Sequence, residues 1–403
     1  MDVKLPAVKK SIKNSIRKSD NLGEFMKLSL SSIIILFILL FLGEAISLPR
    51  FALRENSSCI DCHVNPTGGI LRNKRGWSYG KNMMAMVSPR SDFEMSNKIG
   101  ENIQFGFDMR GQYLLKMTDS TKKTDFQRMN ASLYTSIDLS EDISVIARYD
   151  FIQDIWEGYG VAHLIPEVLY VKGGTFSPNF GLRLDDHTAY TRGGDFGLLF
   201  SAGVKQGLIY NPLYVESGAE VGLNIFDHAF LTASVGNPSS QLFVKDPSFT
   251  ANLKITPSIS DEIGMFFGGS LGIFRDKQFS GPPKFQQIFP QVKMYGGYFG
   301  FGYDKFTLLG EYDIADDYLA GDIKSTFLML EASYTIFKGL DAVFRFDKFD
   351  PSTKLDEDAL SRYIIGFEFF PYSFVEIRPQ YRIQSEKPSV MNNSALIQFH
   401  FWY

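Results

Sequence analysis

From about Gly100 to Tyr403 the chain alternates, residue by residue, between apolar and polar side chains, and this rhythm limits the available folds more than any other feature. In Ile143-Ser144-Val145-Ile146-Ala147-Arg148-Tyr149-Asp150-Phe151 the odd positions are apolar, while Ser144, Arg148 and Asp150 face the other way. Val375, Ile377, Tyr381 and Ile383 alternate with Glu376, Arg378, Gln380, Arg382 and Gln384. Leu328, Leu330, Ala332, Tyr334 and Ile336 alternate with Glu331, Ser333 and Thr335, and Ala131, Leu133, Ile137 and Leu139 with Asn130, Ser132, Ser136 and Asp138. A period of two with one apolar and one polar face is a half-buried β-strand.

Run length separates a sandwich from a membrane barrel. Many runs extend about ten residues, enough to cross an apolar band when tilted. Turn signals such as Asp227-His228, Asn237-Pro238-Ser239 and Lys338-Gly339 divide them. Arg378 and Arg382 fall in strand interiors, which suits a wet lumen and not a dry core. The 37 Phe, 19 Tyr and 35 Gly fit aromatic belts and tight turns. The expectation is an all-β fold: a transmembrane antiparallel barrel of about 16 strands over residues 99–403. Ile397, Phe399, Phe401 and Tyr403 alternate with Gln398, His400 and Trp402, so the last strand ends on an aromatic residue. A strand of that kind resembles the recognition signal of bacterial outer-membrane barrels.

The front of the chain reads as an export signal. Residues 1–47 carry seven Lys/Arg against four Asp/Glu, and Ile33 to Leu42 is an unbroken apolar core. Ala45-Ile46-Ser47 supplies a small-x-small cleavage pattern, which makes 1–47 a signal peptide, with Met26-Lys27 the more typical start. The competing reading is a retained anchor, but the apolar run is shorter than the roughly 20 residues a spanning helix needs. The whole-chain charge of −4 leaves −7 after residue 47. An acidic chain of this kind argues against nucleic acid as a partner. The expected address is the outer membrane of a Gram-negative-type bacterium, with its lipid as surroundings.

Between these parts lies residues 48–98, with Cys59-Ile60-Asp61-Cys62-His63. C-x-x-C-H is the spacing of covalent haem attachment: each thiol adds to a porphyrin vinyl group, and the following histidine reaches the iron. These are the only two cysteines in 403 residues. A disulfide redox pair normally sits in a βαβ pattern, which is missing here. A closed zinc site needs four ligands, and no second Cys/His pair is present. One haem c is therefore expected, held by Cys59 and Cys62 with His63 as proximal ligand. Arg50, Arg54, Arg72, Lys74 and Arg75 are candidates to meet its propionates, and Trp77 and Tyr79 to pack on the macrocycle. Met83, Met84, Met86 and Met95 are in reach as sixth ligand, although methionines in an apolar stretch more often pack. His163, His187 and His228 could serve if the haem sits inside the barrel, and an open position is a third choice. Fewer than 60 residues is short for a domain with its own core. The segment is thus expected within or at the mouth of the barrel.

One stretch departs from simple alternation. Gly173 to Thr188 runs on through Thr191-Arg192-Gly193-Gly194 as a strand followed by a charged loop that could fold into the lumen or cap it. Its Gly174-x-Phe176-x-Pro178-x-Phe180-Gly181 core resembles a segment of polyphosphate- and phosphate-selective porins. Asp185, Asp186 and His187 could hold a substrate metal such as Fe(II), or could form a hydrogen-bonded loop.

The order of parts resembles the fused outer-membrane monohaem cytochrome c–porin family of iron-oxidising bacteria. Phe51-Ala52-Leu53-Arg54 is similar to that family's lead-in, whereas Val64-Asn65-Pro66-Thr67-Gly68-Gly69 departs from its pattern. The resemblance implies single-electron transfer across the outer membrane. Its partners would be a periplasmic c-type cytochrome or other carrier inside, and Fe(II) or a mineral outside. A solute-diffusion porin with a haem-bearing plug or redox sensor is the transport alternative, and a haem peroxidase-like catalyst the enzymatic one.

Overall fold

The computed structural model describes residues 49–403, apart from 56, 58, 70, 91–95, 185, 187, 195–206, 211–213, 226–227, 239–246, 261, 275–290, 319–321, 387–388 and 390. The signal-peptide reading for 1–47 lies outside the described residues. Sixteen strands run in chain order: β1 Ile103–Thr118, β2 Lys122–Asp138, β3 Ile143–Asp150, β4 Ile155–Ile165, β5 Leu169–Phe176, β6 Glu216–Ile225, β7 Ala229–Pro238 and β8 Ser248–Ile255. They continue as β9 Ile263–Phe274, β10 Val292–Tyr303, β11 Phe306–Asp316, β12 Lys324–Phe337, β13 Leu340–Asp350, β14 Leu360–Phe369, β15 Val375–Ser385 and β16 Asn392–Trp402. Each is antiparallel to the next, and β16 pairs with β1 from Asn392↔Thr118 to Trp402↔Asp108. The sheet is closed, as the expected count of 16 requires. Lys98–Ile99 adds a short lead-in that folds back on β1.

Alternation sorts the side chains inside out. On β15 the polar Glu376, Arg378, Gln380 and Arg382 are buried, while Tyr381 and Ile383 are exposed. Arg362, on β14, is fully buried, whereas Tyr363 and Ile365 are open to the surroundings. Buried charges with exposed apolar residues would be unstable in water and are the expected order in lipid around a polar lumen. Exposed aromatics Tyr303, Phe306, Tyr334 and Phe367 lie at matching register across β10 to β14, which builds part of an interfacial girdle. One rim carries tight turns, such as Asp304-Lys305 and Lys338-Gly339. At the other rim, the described residues between β5 and β6 turn inward: Phe180, Leu182, Tyr190, Leu208 and Tyr210 are buried inside the barrel.

The segment before the barrel occupies the lumen at the short-turn rim. Helix α1, Pro49–Glu55, lies against β9, β10 and β11. Leu53 is buried on bare backbone there: a Cβ at Gly264 would come 2.3 Å from the Leu53 carbonyl oxygen. At Gly300 and Gly302 a Cβ would meet the Leu53 side chain at 3.0 Å. Arg50 reaches Glu368 at 2.5 Å, and Arg54 reaches Asp341 at 2.8 Å, tying the helix to β14 and β13 further round the wall. Helix α2 is Cys59–Cys62 and α3 is Lys74–Asn82. Trp77 of α3 packs on Phe374 and on the last residue, Tyr403, at ring-centroid distances of 5.5 and 5.8 Å. The chain then leaves across the rim, where the Met86 amide donates to the Phe370 carbonyl at 2.8 Å. Burying side chains the size of Leu53 and Trp77 contributes roughly 1.5–3 kcal/mol each.

The seat of Leu53 can be tested directly. Gly264→Val should push α1 off the wall, with about 1–3 kcal/mol lost from docking. The barrel should remain closed and heat-modifiable on gels. Trypsin cleavage after Arg54, Arg72 and Lys74 should then appear in the variant and not in the wild type.

Candidate functional site

The C-x-x-C-H stretch folds as one turn of helix leading into a tight hairpin. The His63 amide donates to the Cys59 carbonyl at 2.9 Å, which closes α2. His63 then bridges to Arg72, and the Val64 amide donates to the Leu71 carbonyl. Between these pairings Asn65 ties the turn, its side-chain amide donating to the Gly68 carbonyl at 2.8 Å. Asn73 does three jobs at once. It donates through Nδ2 to the Ile60 carbonyl, donates its amide to Cys62, and accepts from Arg75 and Gly76 as N-cap of α3. Two glycines permit the close contacts. Gly68 has φ +81°, and a Cβ there would lie 3.0 Å from Cys59 Sγ. A Cβ at Gly76 would lie 2.1 Å from the Cys62 carbonyl oxygen.

Cys59 and Cys62 form no disulfide. Both line a cavity of about 380 Å³ inside the barrel, together with His63, Gly68, Gly69, Arg72, Tyr79 and Met84 from the same segment. The wall supplies Asp108, Arg110, Glu376, Arg378, His400 and Trp402, and the inward loop supplies Arg183 and Asp186. Burial, reinforced by Arg72 and Arg183, pushes the His63 imidazole down to about 3, so the ring is neutral at neutral pH. Its Nδ1 is buried and makes no hydrogen bond of normal geometry among the described residues. Burial pushes the Cys62 thiol up, against the opposing pull of Arg75. Among the described residues no three His, Cys, Asp or Glu side chains converge on one point as a zinc site would require. Two unbridged thiols on one turn, a neutral imidazole beside them and a cavity before all three are what a c-type haem needs.

The remaining sequence candidates divide. Met84 faces the cavity, whereas Met83 and Met86 are 57 % and 44 % exposed and do not line it. His163 and His228, near the short-turn rim, do not line it either. Met95, Asp185 and His187 lie outside the described residues. Asp186 is a loop lock: Arg345 donates to its carboxylate at 2.7 Å, and Thr188 donates to it through its amide and hydroxyl. Burial pushes the Asp186 carboxyl up, but Arg345, Arg382 and Arg378 outweigh it and hold the group well below the usual carboxylate range. Arg50 and Arg54, expected near the propionates, are consumed by wall carboxylates, and Lys74 is exposed. Arg72 stays at the site, its guanidinium 5.5 Å from the Trp402 ring centre.

Two cavity residues were missed. His400 is buried between Glu376, 2.8 Å from Nδ1, and Asp108, 3.0 Å from Nε2. It shares the inward parity of Gln398 and Trp402, and that parity was the available signal. Arg183 comes from the loop after β5. It donates to Ser177 at 2.9 Å, and to Thr67 and the Gly68 carbonyl of the turn that follows His63 at 3.3 and 3.4 Å. The loop itself is anchored by Arg192, which is paired with Glu311 at 2.8 Å, and by the Phe180–Tyr210 stack.

A closed sixteen-strand barrel, charged within and apolar without, with tight turns on one rim and a loop folded into the lumen, is an outer-membrane barrel of the porin type. Its exposed apolar band belongs in the outer membrane of a Gram-negative-type bacterium. Solved structures share the fold. It is similar to OprB of Pseudomonas putida at 10 % identity, with a TM-score of 0.57, covering 75 % of this chain and 94 % of that one. It is also similar to the outer-membrane channel DcaP of Acinetobacter baumannii at 11 % identity, with a TM-score of 0.50, covering 75 % and 97 %. No protein-family model and no curated protein sequence matches the chain.

Two substitutions probe the site. Gly68→Val places a branched side chain at positive φ against Cys59 Sγ and should cut several-fold the haem stain per barrel that the C-x-x-C-H spacing leads one to expect. Asp186→Asn should loosen the inward loop at pH 7, by about 3 kcal/mol for a buried pair that loses one partner. Protease cutting within residues 177–215 reads that loss. Because the native carboxyl is depressed, the wild-type lock is fully present above pH 3.8. It should fail only as the pH falls through the lower native value.

Proposed function

We propose that this protein is an outer-membrane porin-cytochrome that carries single electrons between the periplasm and the cell exterior. The observation that carries the reading is the placement of the only two cysteines of the chain. Both are unbridged, both face one lumenal cavity, and His63 stands beside them. In this reading Cys59 and Cys62 hold one haem c through thioethers, and His63, neutral at working pH, is the proximal ligand. Bound there, the haem supplies the one-electron ferric–ferrous couple.

The chain's own residues fix the setting for that couple. Trp77, Phe374, Trp402 and Tyr403 pack together at the short-turn rim and keep water from that side of the segment. Short turns mark the periplasmic face of such barrels, so the segment lies nearest a periplasmic partner. That partner would be a soluble c-type cytochrome or a comparable carrier. An apolar band about 25 Å thick insulates electrons, and the barrel sets a redox centre inside it. The outer partner would be Fe(II), a mineral or another extracellular reagent. The transport reading, a solute porin with a haem-bearing plug, is favoured by the charged lumen wall. The peroxidase-like reading would need a free position at the iron.

A pyridine haemochrome spectrum of the purified protein should show one covalent haem, and its absence would sink the proposal. Protein in liposomes enclosing a redox dye should exchange electrons with an impermeant external reductant, and Cys59→Ala/Cys62→Ala should abolish the exchange. Solute leakage that is equal in wild type and double variant, without electron exchange, would favour the porin. Peroxide turnover by a five-coordinate haem would favour the enzyme.

A further inference from the structure

Among the described residues seven carboxylates line the cavity, and six of them are matched by a cation of the wall or plug. Asp108 meets Arg110, Glu157 meets Arg148, and Asp186 meets Arg345. Glu331 and Glu368 meet Arg50, and Glu376 meets Arg378. The seventh, Glu55, is exposed. Arg183 stands outside this pairing. Its hydrogen bonds go to neutral oxygens of Ser177, Thr67 and Gly68, and it pairs with no carboxylate among the described residues. Its Nε is buried with no hydrogen-bond partner, 3.5 Å from where a Cβ on Gly69 would lie. An inward loop therefore presses a guanidinium that no described carboxylate pairs against the turn that follows His63.

We propose that Arg183 is a positioning residue that sets the potential of the haem bound at Cys59, Cys62 and His63. This rests on the porin-cytochrome reading. A fixed positive charge near the iron stabilises the ferrous over the ferric state, because the ferric centre carries one charge more. A metal-bound imidazole becomes more basic when its outer nitrogen faces a carboxylate, and a guanidinium in that neighbourhood acts the opposite way. Both effects raise the potential, and a half-buried charge such as Arg183 is screened less than one at the surface.

The test is spectroelectrochemical titration of the haem-loaded full-length protein in detergent. Arg183→Gln should move the couple toward ferric by about tenfold, or about 59 mV downward for one electron. Arg183→Lys keeps the charge and should restore most of the wild-type potential. Arg75→Gln removes a cation whose side chain is 61 % exposed and should move the couple by less than about threefold. If Arg183→Gln does not assemble, Thr67→Val, which removes one of the contacts that hold the guanidinium, should shift the couple in the same direction. A wild-type potential in Arg183→Gln or in its Thr67→Val substitute, or no rescue by lysine, overturns the inference while leaving the haem reading intact. A wild-type protein without covalent haem overturns that reading instead.

Discussion

A strand in lipid has no water to satisfy its amides and carbonyls, so the sheet must close on itself. The pairing of β16 with β1 is where this chain meets that demand, and most of the structure is arranged around it. Closure leaves a tube whose inner face is lined by every second residue of sixteen strands. Those residues are largely polar, except where the inserted pieces rest on apolar wall residues such as Phe266, Leu309 and Phe349. A polar tube of this size still has to be filled or wetted. Here the described parts of two pieces of the same chain fill much of it, α1 to α3 from one rim and the stretch around Phe180, Tyr190 and Tyr210 from the other.

The interior then becomes a question of charge. Arg148–Glu157, Lys172–Glu220, Arg192–Glu311 and Arg362–Asp347 are almost wholly buried pairs. Taking such ions out of bulk water costs several kcal/mol each, so the pairs add less to stability than to specificity of register. A wall strand displaced by one residue would turn its own members of these pairs toward lipid. The same consideration gives Arg183 its interest, as a cation whose contacts in the described structure are all neutral.

Much of this was legible in the sequence, for a physical reason. Period-two alternation is a local property, so the strands around Ile143, Ala131, Leu328 and Val375 could be read from neighbours alone, and the count followed. The C-x-x-C-H spacing at Cys59–His63 is equally local. What could not be read were partners distant in the chain. Arg50 and Arg54 looked free to meet propionates, but closure brings Glu368 and Asp341, some three hundred residues away, against them. Asp186 reads equally as a metal ligand or as part of a hydrogen-bonded loop, and its partner Arg345 lies too far along the chain to be read beside it. His400 and Arg183 were passed over because nothing local separates them from any inward-facing charge.

The seat of Leu53 has an implication for how this lumen could change over time. Where α1 rests, the wall has lost its inward side chains at Gly264, Gly300 and Gly302, and the helix supplies the missing apolar matter. Wall and insert are thus two halves of one surface. Neither is complete by itself. A relative lacking the N-terminal segment would need larger residues at those three positions to avoid a dent of naked peptide. Conversely, a segment transplanted into a barrel with an ordinary wall would find its place already taken. The two parts must therefore vary together, and glycine at those three positions is a mark by which a barrel built to hold such a segment can be told from one that is not.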